Sequence, residues 1–119
     1  MVDNYKGRGD AVNHIAAGTI TSGDVVVLKH CIGIALSDAV ADDIIAVQIE
    51  GIVNVPKASA AVFAQGEKLI WDTSVSKFDD SSATPATGDI TGACVAAVAG
   101  LATELTARVK LTPGNATLT

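Results

Sequence analysis

Aromatic side chains are almost missing from this chain. One Trp, one Tyr and two Phe make 3% of its 119 residues, although 49% are hydrophobic. The apolar mass is chiefly Ala and Val, and rings that bury about 150–250 Å² each are too few to build a thick core. A small-residue core holds limited stability alone, which favours further burial in an oligomer or on a larger assembly. Cysteine is scarce as well. Cys31 and Cys94 form no disulfide framework, and each lies in an apolar, β-like stretch that suits a buried reduced thiol. Basic charge is thin: 8 Lys and Arg against 13 Asp and Glu give a formal net charge of −5. Those cations are scattered, with only Lys6 and Arg8 close together, which argues against a nucleic-acid face. No apolar run approaches the roughly 20 residues of a membrane-spanning helix, and from the polar opening Met1-Val2-Asp3-Asn4 no signal peptide is expected. The expectation is a soluble protein made in a reducing cytoplasm, without membrane or nucleic-acid partners.

Reactive constellations are missing too. A phosphate loop needs Gly-x4-Gly-Lys-Ser/Thr, and neither Gly7-Arg8-Gly9 nor Gly66-Glu67-Lys68 has that spacing. Structural zinc needs four converging ligands, whereas His30 and Cys31 are neighbours that point to opposite faces of a strand. A core pair of Cys31 and Cys94 is the better reading there. The acids Asp42-Asp43, Asp79-Asp80 and Glu50 sit in loops or at strand ends. Adjacent loop aspartates do not face each other across a cleft at about 5–10 Å, as paired hydrolytic carboxylates must. His14 and His30 exist, but no Gly-x-Ser-x-Gly elbow accompanies them. Arg8-Gly9-Asp10 is a tripeptide that chance supplies often, and Gly9-Asp10 reads as a turn. No catalytic residue, cofactor site or metal site is assigned, and the expectation is a protein that is not an enzyme.

What remains is β-patterning cut by glycines. Residues 23–28, 31–36, 44–55, 67–71, 90–98 and 105–111 read as strands bounded by Gly, Asp, Ser, Thr or Pro. Ile45, Val47 and Ile49 alternate with Ala46, Gln48 and Glu50, and Ala107, Val109 and Leu111 alternate with Arg108 and Lys110. Gly51 reads as a bulge inside one long strand that ends at Pro56. The Ala-rich residues 57–65, stopped by Gly66, form the one predicted helix. Residues 72–89 are polar and read as a surface hairpin or flexible tip. A faint echo relates Gly33-Ile34-Ala35 and residues 46–50 to Gly92-Ala93-Cys94 and residues 107–111. The predicted fold is all-β: a compact small barrel or sandwich of short strands with one short helix. Residues 1–10 form an extended arm, 11–112 a single β-rich domain and 113–119 a polar tail. The lone tryptophan, Trp71, is a core or interface anchor.

The segments Val47-Gln48-Ile49-Glu50-Gly51, Pro56-Lys57, Gln65-Gly66-Glu67-Lys68-Leu69-Ile70-Trp71-Asp72, Gly92-Ala93-Cys94-Val95 and Ala107-Arg108-Val109-Lys110-Leu111 resemble a family of small tailed-phage proteins. Some members are labelled RecA- or RadA-like recombinases, and others are capsid decoration (cement) proteins. The recombinase label does not fit residues that offer neither a nucleotide loop nor a basic face. The resemblance implies a subunit that docks on the outer surface of a phage head, as a homotrimer, and bridges major capsid subunits there. Many weak contacts repeated by symmetry then sum to a large avidity. The candidate capsid contacts are Asn4, Tyr5, Lys6 and Arg8 in the polar arm, because flexible segments order on binding. The alternatives are an adhesin-like module reading a host glycan or surface through residues 72–89, and, further off, a small hydrolase.

Overall fold

The computed structural model describes residues 9–119. The described residues form ten β-strands: β1 (Ala11–Ile15), β2 (Val25–Val27), β3 (Ile32–Ala35), β4 (Ile44–Gln48), β5 (Gly51–Pro56), β6 (Lys68–Asp72), β7 (Lys77–Asp79), β8 (Ile90–Ala96), β9 (Thr106–Leu111) and β10 (Thr117–Leu118). The first sheet has the order β1-β4-β3-β2. The second has the order β5-β9-β8-β6-β7, with β10 added to β8. The fold is all-β, as its alternating pattern requires. The strands pair antiparallel, and the sheets do not close into a barrel. Of the two forms allowed by the sequence, they are consistent with the sandwich. One isolated parallel bridge, Lys57 to Phe78, joins the residue that follows β5 to β7.

Two sequence expectations are corrected. The helix over 57–65 does not form. Lys57 donates its backbone N–H to the Leu105 carbonyl, Ala58 donates to Phe78, and Phe63 exchanges backbone bonds with Gly100. A nine-residue helix gains few internal bonds for its costly nucleus, so long-range bridges outcompete its Ala-rich propensity. Nor is Gly51 a bulge inside one strand. The chain leaves the first sheet after Gln48 and enters the second at Gly51, whose φ of 109° is open to glycine and strained for other residues. The long apolar pattern therefore spans a corner between two sheets.

The corner gives the domain two cores. In the larger, Ile32 and Ile34 of the first sheet pack with Val55, Leu69, Trp71, Phe78, Ile90, Cys94, Val109 and Leu111 of the second. The smaller lies on the other face of the first sheet, where Val26, Ala35, Ile45 and Val47 meet Ala16 and Ala39. Strand β3 is thus buried on both faces. Gly33 lies where a Cβ would stand 2.2 Å from the Val47 side chain and 2.8 Å from the Gln48 carbonyl oxygen, so the close approach of β3 to β4 needs glycine there.

Within residues 72–89 only the first part belongs to a hairpin, the one between β6 and β7, and the polar composition of the segment hides a core ring. Phe78 is fully buried and pairs with Trp71 at 4.9 Å between ring centroids. The rest of the segment is tied down by its acids. The two Asp89 oxygens accept from the backbone N–H groups of Thr73 and Ala86, and Asp72 accepts from the Ser74 N–H and hydroxyl. The C-terminal residues return to the second sheet. Strand β9 occupies one edge of β8 at residues 94–96, and β10 occupies the same edge at residues 90–91.

Candidate functional site

The candidate capsid contacts Asn4, Tyr5, Lys6 and Arg8 lie outside the described residues. Trp71 is 4% exposed, inside the larger core. The two cysteines are free thiols. Cys31 precedes β3 in the first sheet, while Cys94 lies on β8 in the second. Burial pushes the Cys94 thiol up to about 12 and also raises that of Cys31, so the reactive thiolate is disfavoured at both. Among the described residues, no three of His, Cys, Asp and Glu gather as a metal site would need. Several acids cap turns instead, as Asp24 does for the Thr21 N–H and Asp43 for the Val40 N–H. The backbone N–H and hydroxyl of Ser81, then the backbone N–H of Ala64, hold the Glu67 carboxyl below its usual range. The Ser82 hydroxyl does the same for Asp80.

Surfaces, rather than reactive clusters, stand out. On β9, Arg108 and Lys110 point out while Ala107, Val109 and Leu111 point into the core. Register sets Ile52 opposite Lys110 and Asn54 opposite Arg108. On the other side, Val95 lies opposite Lys110 and Lys68 opposite Val95. One row across four strands therefore reads Lys68, Val95, Lys110, Ile52, with Ile52 62% exposed. Beside it is an open cleft of about 270 Å³, lined by residues that include Asn54, Phe63, Val98, Gly100, Glu104 and Arg108. Glu104 is occupied within its own turn, where its carboxylate accepts the Leu101 N–H at 2.6 Å.

Below Phe63 lies a group that composition does not announce. Lys57 is fully buried. Its ammonium donates to the Ala58 carbonyl at 3.0 Å and to the Glu104 carbonyl at 3.3 Å, and it stands 5.9 Å from the centre of the Phe63 ring. Carbonyl dipoles and an aromatic face make up part of the hydration that this charge loses. The contact ties the segment after β5 to the turn before β9.

The first sheet carries a second surface. Ile15 and Ile44 face each other across β1 and β4, 63% and 69% exposed. By strand alternation they share a face with Leu36, which is half exposed, and with Ile34, which is buried in the larger core. The same face of one sheet is thus covered at β3 and bare towards β1. Asp42 and Asp43, both exposed, lead directly into Ile44.

These surfaces were only partly legible in the sequence. The outward pair Arg108 and Lys110 follows from period-2 alternation. The approach of Lys68 and Ile52 to that pair depends on cross-strand register, which composition does not carry. Burial of Lys57 had no sequence signal beyond its place after Pro56.

An all-β frame with bare, charged surfaces and several acids committed to turns is suited to binding and support. Over residues 6–111 the chain matches the family model described as phage cement protein. The match spans most of the chain, and the protein belongs to this phage cement protein family, a structural family of the virion capsid. No curated protein matches the sequence.

Proposed function

We propose that the protein binds the outer surface of a phage head shell and stabilises it by bridging major capsid subunits, as a homotrimer made in the host cytoplasm. The observation that carries this reading is the cement family match over residues 6–111. The fold supports it in a specific way. Its two sheets share one continuous core through β3, so a load applied at one sheet passes to the other through packed side chains. Such a domain serves as a clamp, and its stabilising effect comes from contact area repeated over the shell. The polar segment containing Asn4, Tyr5, Lys6 and Arg8 is assigned to the shell contact, where a short arm adds area at each copy.

Purified chain added to heads that lack it is expected to co-sediment with them up to a saturating, symmetry-related occupancy. Removal of residues 2–9 should lower the affinity by roughly tenfold or more, the scale of losing one or two interface anchors. Full-length chain that stays in the supernatant would contradict the shell reading. Unchanged occupancy after the deletion would contradict the arm's part in it.

A further inference from the structure

We infer that the basic outer face of the second sheet receives the acidic, apolar corner of the first sheet from another copy of this chain. The two halves of this contact are complementary in both charge and polarity. The receiving half has Arg108 and Lys110 pointing out from β9, exposed Ile52 opposite Lys110, and the open cleft beside them. The donating half has exposed Asp42 and Asp43, the second of which also accepts the Val40 N–H, followed by Ile44, with Ile15 directly opposite Ile44.

Charge is distributed unevenly along the chain in the same sense. Residues 9–50 hold six acids (Asp10, Asp24, Asp38, Asp42, Asp43, Glu50) and one base, Lys29. Residues 51–119 hold six acids and five bases, of which Lys68, Arg108 and Lys110 point out from one face of the second sheet. A second copy is therefore the occupant for which both partners are already in view. Exposed aliphatic side chains beside opposite charges give an apolar centre with a charged rim, the usual arrangement of an interface. In the head-to-tail arrangement that the proposed homotrimer requires, the contact is heterologous: it leaves one free surface of each kind on a pair of chains and closes into a ring where the rotation allows. The inference deepens the self-association part of the proposed function and does not depend on shell binding.

The test uses two full-length variants, each altered only at exposed positions, with circular dichroism and thermal melting as checks that both fold. Arg108→Glu combined with Lys110→Glu removes the receiving half. Asp42→Asn combined with Ile44→Ser, which takes away an acid and an exposed aliphatic side chain together, weakens the donating half. In sedimentation velocity the wild-type chain should associate, and more weakly as salt rises. Each variant alone should associate more weakly by on the order of tenfold or more. Mixed together, the two should form a 1:1 pair that grows no further, because each still carries the half that the other lacks. A wild-type chain that stays monomeric, a variant that associates like wild type, or folded variants that stay monomeric on mixing would each overturn the contact. Head binding is scored separately. A chain that binds heads without self-association contradicts this contact alone, whereas one that self-associates and ignores heads contradicts the shell reading alone.

Discussion

Phe78→Ala is expected to destabilise the isolated domain by about 3–5 kcal/mol, the range for removing a buried aromatic ring. Phe78 is fully buried, pairs with Trp71 and belongs to the larger core. Where the loss falls in that range depends on how far the surrounding Ile, Leu and Trp side chains of the larger core close over the space. Since domains of this size are stable by roughly 5–15 kcal/mol in all, the variant should melt well below the parent. Chemical denaturation monitored by Trp71 fluorescence measures the loss directly, because the probe lies against the deleted ring. A midpoint within error of wild type would mean that Phe78 does not hold β7 to the core.

Lys57→Glu is expected to be about as damaging. The position is fully buried, and the ammonium donates to two backbone carbonyl oxygens. A carboxylate there would face acceptors with nothing to donate. Leaving a buried charge uncompensated costs about 3–5 kcal/mol. Lys57→Met separates charge from shape. It keeps an unbranched apolar stem in the same space, removes the buried charge and leaves two carbonyls without that donor. Its expected loss is about 1–3 kcal/mol, the cost of unsatisfied buried acceptors. The order wild type, Met, Glu in denaturant midpoint is the result expected. Equal midpoints for Lys57→Glu and wild type would show that the ammonium is not held as described.

How much could be read beforehand depends on the physical range of each signal. Period-2 alternation is local, so Ala107, Val109 and Leu111 were readable as one inward face and Arg108 with Lys110 as the other. The pattern at residues 44–55 was equally clear but misleading in one respect. Alternation on both sides of Gly51 looks the same whether the chain continues in one sheet or turns a corner into another, since the difference lies in which strands pair. Strand β4 pairs with β1 and β3, whereas β5 pairs with β9, some 50 residues away. The Ala-rich stretch at 57–65 failed as a helix for a related reason: its backbone bonds are made to Phe78, Gly100 and Leu105, none of which local propensity can see. Phe78 was concealed by its polar neighbours, because a single ring between turn residues has no period. The charged outer face and the bare corner at Ile15 and Ile44 arise from register. Each side chain was visible in the sequence, and their proximity was not.

The cement assignment is tested most directly by heating phage heads with and without bound protein and following the release of packaged DNA. Heads carrying the full-length chain should hold their DNA to a higher temperature, in proportion to occupancy, and lose that advantage when the protein is stripped. Decorated heads that open at the same temperature as bare ones would contradict a cementing role, even if the protein binds.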